Sequence, residues 1–479
     1  MDALINELKT RIIEALKLAD LKPEDIDADA PLFGEGLGLD SIDALELMLL
    51  LEKNYGIKLK NPAEGKEVFK SVRTMAEYIQ ANQAKKVFAR IAITGAGNIS
   101  AIGVGKDETL RSLIARKSGV GRLRHLQTAH SELPCGEVNM SDEELKNALG
   151  LPTGSIIPRT TLLGIIAVKE AMEQVGIKGT DRAALISGTT VGGMDLTECH
   201  YIQEGESSFF SLHDCGSCTD GIADFFGGFG LVTTISTACS SAANSIMLGA
   251  DLIKSGRCDV VVAGGSECLT RYHLNGFNSL KILDSKPCRP FDATRNGLNL
   301  GEGAGFVVLE SEEHALNRGV APIGALDGYG NACDAFHQTA SSDDGEGAFL
   351  AMSKALNMSG LKPGDIDYVN AHGTATPNND ASESRAMIRL FGGKIPPVSS
   401  TKAFTGHTTS AAGSIEAVIC LLAIRHGFIP ANLNWKEPFD GGVVPDSEGH
   451  QGVQLDHVLC NSFGFGGNDS SLLISRYGK

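Results

Sequence analysis

The sequence predicts a duplicated α/β unit preceded by a small all-α bundle. Three observations carry this. The chain has 479 residues, which at about 150 per domain allows roughly three folding units. Its texture changes near residue 88, from amphipathic helical patterns to strand-like runs alternating with helical ones. Two stretches of the later region repeat each other. With 42% hydrophobic and 21% charged residues the chain can bury a large core, which sets it apart from disordered sequences. The 57 glycines exceed the roughly 7% of ordinary proteins. They lack a Gly-X-Y period and imply many tight turns and close backbone approaches.

Leu4, Ile5, Leu8, Ile12, Ile13 and Leu16 lie on one face of a helix over residues 2–18. A loop with Pro23, Pro31, Gly34, Gly36 and Gly38 follows. Asp40-Ser41 then precedes Ile42, Leu45, Leu47, Met48, Leu49 and Leu51, a helix with an acidic cap. A further amphipathic stretch runs from about Ser71 to Ile79, so residues 1–80 read as a helical bundle of four helices and long loops. Residues 81–87, polar and without apolar pattern, read as a linker. Arg90 to Thr94 is a buried strand ending in Gly95-Ala96-Gly97. That turn lacks the third glycine of a dinucleotide fingerprint, and no NAD site is expected.

The repeat sets the architecture beyond. Ala167 through Thr190 recurs as Ala351 through Thr374, each a helix, loop, strand and glycine turn. Ser241 to Ile246 answers Ser410 to Ile415, both opening apolar helices. Halves over 88–340 and 341–479 follow, with a site where matching turns meet.

Charge and cysteine usage narrow the function. A formal net charge of -16 argues against nucleic acid as a main partner. Ten carboxylates between Asp20 and Glu52 face one cation, Lys22, which makes either a solvated face or a docking surface for a basic partner. No basic leader with an apolar core opens the chain, and no apolar run approaches eighteen residues, so a soluble, unexported protein without an integral membrane segment is expected. Eleven cysteines scattered from Cys135 to Cys460 suit a reducing cytoplasm better than a disulfide framework.

Cys239 falls between a strand-like run, Leu231 to Ile235, and a helix reaching about Ser255. A thiol at a helix N-terminus meets unpaired N–H groups and the positive dipole end, which favour thiolate. It reads as a nucleophile or as a buried structural cysteine. His372 and His407 stand at corresponding turns of the second half and tip the reading toward chemistry. Lys402 is the only ammonium in the turn before His407, with Asp380 or Glu383 available to hold it. The pair Cys215 and Cys218 beside His213 has no second Cys-x-x-Cys to complete a zinc site. Met352, Met358 and Met387 read as packing residues.

Thr237-Ala238-Cys239-Ser240-Ser241, Val262 to Glu267, Pro290-Phe291-Asp292, Leu300 to Gly305, Asn370 to Thr374, Ser400-Thr401-Lys402, Thr405-Gly406-His407 and Asn461 to Gly467 are eight motifs in one order. On them the region from about 88 to 479 resembles a beta-ketoacyl-acyl-carrier-protein synthase of the synthase-II type. The resemblance implies the duplicated, layered αβαβα thiolase-like fold and decarboxylative condensation of an acyl thioester with malonyl-carrier protein. It makes Cys239 the nucleophile and the N–H groups of Cys239 and Phe465 the oxyanion hole. His372 and His407 become neutral donors to the malonyl thioester carbonyl, with Lys402 supporting them and Glu383 orienting Lys402. Phe465 is the implied gate, and Gly192, Gly193 and Met194 the closing wall of the acyl pocket. After the gate, Gly466-Gly467-Asn468-Asp469 departs from the family pattern. His407 distinguishes the carrier-protein-using branch from the acyl-CoA-using one.

Gly38-Leu39-Asp40-Ser41-Ile42 and its acidic helix resemble an acyl carrier protein, whose serine receives 4′-phosphopantetheine from coenzyme A. Ser41 is the implied attachment point, and fusion raises the carrier's concentration near Cys239. The implied partners are acyl- and malonyl-carrier proteins, a phosphopantetheinyl transferase, other enzymes of fatty-acid or polyketide synthesis, and a second copy in a homodimer. Neither a redox cofactor nor a catalytic metal is implied. The alternatives are a non-condensing chain-length or carrier-docking subunit and a Cys/His hydrolase.

Overall fold

Helix α1 (Asp2–Leu16), α2 (Ser41–Tyr55), α3 (Pro62–Val68) and α4 (Val72–Lys85) form the first of two compact units, Met1–Ala89. The computed structural model describes residues 1–18, 21–34, 36–55, 57, 59, 62–85, 90–177, 182–200 and 207–478. Asp20 and Glu35 of the acidic run, the side chains of Ser41 and Glu52, and residues 86–87 of the expected linker lie outside that description. Apolar residues at helical spacing meet in one core: Leu8 and Ile12 of α1, Leu47 and Leu51 of α2, Met75 and Ile79 of α4. Each such side chain contributes about 1.5–3 kcal/mol on burial. Part of the expected linker is helix. Helix α4 runs through Ala81 to Lys85 because alanine, glutamine and lysine are good helix formers.

The second unit, Arg90–Lys479, holds the repeat. Strand β1 (Ile91–Ser100) opens it, followed by helix α5 (Arg159–Glu173), β2 (Ala183–Gly188), β3 (Leu231–Ile235), α6 (Ser241–Lys254), β4 (Val260–Glu267) and β5 (Gly303–Ser311). The second half supplies β6 (Gly324–Cys333), α7 (Glu346–Ser359), β7 (Tyr368–Asn370), α8 (Pro377–Phe391), β8 (Val398–Ser399), α9 (Ala412–His426), β9 (His457–Gly464) and β10 (Asn468–Ser475). Within each half the strands lie in the order third, second, fourth, fifth, first. The first three of that order are parallel and the last two antiparallel to their neighbours. A short antiparallel joint, Ile91 to Ile93 against Gly324 to Leu326, connects the halves. Because β6 pairs with β10, the second set of strands opens at Gly324, upstream of the expected division at 341.

Helices α6 and α9 each pack on strands of both halves and on each other, while α5 covers the first half and α7 the second. These are the five αβαβα layers. The expected turn at Gly95-Ala96-Gly97 is strand instead, and β1 continues to Ser100. A Cβ at Gly97 would stand 2.2 Å from the Ala167 carbonyl oxygen of α5, so this glycine admits a helix against the strand. Met352 and Met387 are fully buried. Met358 is 48% exposed and is not a packing residue.

Candidate active site

Cys239 sits on the sharp turn from β3 into α6 and is buried. Ala238 has φ 52°, a left-handed conformation unusual for a residue with a Cβ. Side chains hold the turn closed: the Thr237 N–H donates to Ser241 Oγ at 2.8 Å, and Ser240 Oγ donates to the Thr237 carbonyl at 2.8 Å. Asn468, part of the departure from the family pattern, anchors the turn from below. Its Oδ1 accepts from Ser240 Oγ at 2.8 Å, Asn244 Nδ2 at 2.7 Å and Asn331 Nδ2 at 2.8 Å.

The duplicated turns deliver the histidines. His372 follows β7, and His407 lies between the short helix Lys402–Thr405 and α9. The reactive atoms of Cys239, His372 and His407 all lie within 4.8 Å of one another, with His407 Nε2 3.1 Å from the sulfur. The two imidazoles meet edge to face, centroids 5.3 Å apart at 82°. Burial, then the Lys402 charge, holds both well below the ordinary histidine value, so both are neutral at neutral pH.

Two expectations change here. Burial pushes the Cys239 thiol up to about 11, against the N–H groups of Phe465 and Cys239 and the Lys402 charge, which pull it down. The free enzyme therefore holds a thiol, not the thiolate that a helix end alone favours. The N–H groups of Phe465 and Cys239 both face the sulfur. Lys402, in turn, is held neither by Glu383 nor by Asp380. Its Nζ pairs with Glu416 Oε1 at 2.6 Å, both side chains almost wholly buried. Glu383 instead accepts the His372 and Gly373 N–H groups at 2.9 and 2.8 Å and Asn461 Nδ2 at 3.2 Å, and burial raises it to about 7. It fixes the backbone of the His372 turn. Asp380 accepts the Phe291 N–H at 2.7 Å and the Ala375 N–H at 3.1 Å. Glu416 was legible: it is the only ionisable acid in the buried apolar run from Ala412 to Ile424.

A cavity of about 230 Å³ opens onto the site, lined by Cys239, Phe277, His372, His407, Phe463 and Phe465 among others. Phe465 stacks on Phe277, rings 5.8 Å apart at 16°, across the mouth. Gly192, Gly193 and Met194 are not part of that lining; the two glycines lie against the backbone of His213 and Leu212, and Met194 opens the helix Met194–His200. Among the described residues, His213, Cys215 and Cys218 do not form a metal-ligating group.

In the first unit, Ser41 is the first residue of α2. Asp40 makes the cap: its Oδ1 accepts the Asp43 N–H at 3.1 Å, and Asp43 Oδ2 accepts the Asp40 N–H at 2.8 Å. A groove lined by Phe33, Leu39, Met48 and Phe69 opens beside Asp40.

A cysteine at a strand-to-helix turn, two neutral histidines and a duplicated αβαβα fold define an acyltransferase of the thiolase-like class. Residues 89–315 match the beta-ketoacyl synthase N-terminal domain and residues 323–436 its C-terminal domain. Residues 6–79 match the phosphopantetheine attachment site. The 3-oxoacyl-[acyl-carrier-protein] synthase 2 of Vibrio cholerae is 32% identical over 416 residues, 81% of this chain and 99% of that protein. Nodulation protein E of Rhizobium meliloti is 34% identical over 412 residues, 81% and 99% of the two chains. The solved structure of the ishigamide ketosynthase/chain length factor superposes with a TM-score of 0.76 at 31% identity, covering 82% of this chain and 100% of that one. The chain belongs to the beta-ketoacyl synthase family. Among the described residues no helix is long and apolar enough to cross a membrane.

Proposed function

We propose that the chain condenses an acyl thioester with malonyl-carrier protein, with loss of carbon dioxide, to give a 3-oxoacyl-carrier protein in fatty-acid or polyketide synthesis, and that its own carrier unit is modified at Ser41. The convergence of Cys239, His372 and His407 within 4.8 Å carries the reading. The Cys239 sulfur attacks the carbonyl of a carrier thioester. A carbon–sulfur bond to Cys239 forms as the carrier's own carbon–sulfur bond breaks, and the departing carrier thiolate takes up the proton that Cys239 gives up. The N–H groups of Cys239 and Phe465 hold the oxyanion. His372 and His407 then donate Nε2–H to the malonyl thioester carbonyl while the bond to the carboxylate breaks and its electron pair enters the enolate. The enolate carbon attacks the acyl group, and the Cys239 sulfur leaves as thiolate and takes a proton from water, which restores the thiol. Electrons balance without a redox cofactor or metal.

Ser41 would hold 4′-phosphopantetheine, which supplies a thiol on a long arm for thioester chemistry. Leaving the cap to Asp40 supports that role. The implied partners are acyl- and malonyl-carrier proteins and a phosphopantetheinyl transferase. A homodimer is supported by β3, an edge strand of the sheet that pairs on one side only among the described residues. Eleven free cysteines suit a reducing cytoplasm.

Intact and peptide mass spectrometry tests the reading. Coenzyme A with a transferase adds one arm, lost in Ser41→Ala. An acyl-carrier substrate adds an acyl group at Cys239, released as condensed product only when malonyl-carrier protein is added. Acyl-enzyme that hydrolyses without malonyl-carrier protein, or full condensation by Cys239→Ala, would sink it.

A further inference from the structure

Glu267 ends β4 wholly buried, and among the described residues it pairs with no cation. Its carboxylate gathers donors from two separate turns. From the loop after β2, Thr189 Oγ1 donates to Oε2 at 2.6 Å, with the Thr190 N–H at 3.0 Å and the Val191 N–H at 3.3 Å; Thr190 Oγ1 donates to Oε1. From the turn after His407, Thr409 Oγ1 donates to Oε1 at 3.0 Å. Thr409 has φ 43°, a left-handed conformation that a β-branched residue adopts only when its surroundings impose it. The first loop abuts the Cys239 turn, for the Thr189 N–H donates to the Ile235 carbonyl at 3.2 Å at the end of β3. One buried acceptor thus ties the segment beside the nucleophile to the strained residue two positions beyond His407.

We propose that Glu267 is a positioning residue of the condensation: through Thr409 it fixes the turn that aims His407 Nε2, and through Thr189 and Thr190 it locks that turn to the loop beside Cys239. A cap serving only to satisfy β2 would need no hydroxyl from the His407 turn, and Thr409 would have no reason to hold a left-handed backbone. The role belongs to the histidine-dependent half of the reaction. A misaimed imidazole weakens enolate stabilisation, while acyl transfer, which rests on the Cys239 and Phe465 N–H groups, proceeds.

The inference rests on the proposed condensation, and the test separates the two. In the full chain, acylation of Cys239 from acyl-carrier protein and decarboxylation of malonyl-carrier protein are timed separately for wild type, His407→Ala, Glu267→Gln, Thr409→Ala and Thr409→Ser. Glu267→Gln and Thr409→Ala are expected to lower the decarboxylation kcat about tenfold or more at unchanged KM, with acylation within about threefold, and Thr409→Ser to restore it. Thr409→Ala keeps the test decisive should Glu267→Gln not fold. Equal losses in both half-reactions, or a Thr409→Ala enzyme that decarboxylates like wild type while His407→Ala does not, overturn the proposal. A wild type that neither acylates nor decarboxylates overturns the underlying reading.

Discussion

Desolvation sets the protonation of the catalytic groups. With its thiol raised to about 11, Cys239 ionises only as it reacts, and its proton passes to the departing carrier thiol. The histidines respond to the same burial in the other direction. Their folded values lie well below 6.5, so below that pH the unfolded chain binds protons that the folded chain refuses. Stability from each is complete above about 6.5 and is lost as pH falls toward the folded value, by about 1.4 kcal/mol per pH unit per histidine. Glu383, raised to about 7, has the opposite sign: the folded state holds its proton, and stability falls as pH rises from about 4.5 to 7. It masks one histidine in the wild type. His372→Gln removes one of the opposing contributions, so its denaturant-determined stability should fall less steeply than wild type between pH 6.5 and 5. Parallel slopes would mean that His372 is protonated in the fold. The structure brings Cys239, His372 and His407, each expected at or beside a turn of the repeat, within 4.8 Å of one another. The expected partner of Lys402 was Glu383 or Asp380; α8 instead commits Glu383 to the His372 and Gly373 N–H groups, and α9 brings Glu416 to within 2.6 Å of Lys402.

The elements were legible where periodicity alone decides them, and less so where a distant partner does. Helix α1 and helix α4 follow their apolar spacing. The Gly95-Ala96-Gly97 run looks like a turn because glycine is local punctuation. Its true reason lies some seventy residues away in α5, whose Ala167 and Ala171 backbones press on β1. A methyl group at Gly97 would sit 2.2 Å from the Ala167 oxygen and 2.8 Å from the Ala171 nitrogen, against backbone that cannot rotate aside. Gly97→Ala should therefore cost about 1–3 kcal/mol, read as a lower denaturation midpoint with unchanged helix content. Gly121, whose Cβ would meet nothing within 4 Å, is the control; equal losses at both positions would place the effect in glycine's backbone freedom and not in the helix contact.

At the scale of the molecule, length allowed about three folding units, and the chain forms two compact ones that divide at Ala89, beside the change of texture near residue 88. The core of the carrier unit draws only on residues from Ile5 to Ile79, while the two largest cores of the synthase unit begin at Ile91 and at Ile99. Each unit thus has a core of its own, and a chain with two such cores falls outside a single two-state description. Enthalpy of unfolding scales with size at about 0.7 kcal/mol per residue near 60 °C, which assigns the carrier unit about 60 kcal/mol and the synthase unit several times more. Scanning calorimetry of the full chain should show two transitions, the smaller one isolated in a fragment of residues 1–89 and absent from residues 90–479. Modification at Ser41 should move only the smaller transition, and alkylation of Cys239 only the larger. One transition carrying the whole heat, shifted by both modifications, would show that the carrier melts as part of the synthase.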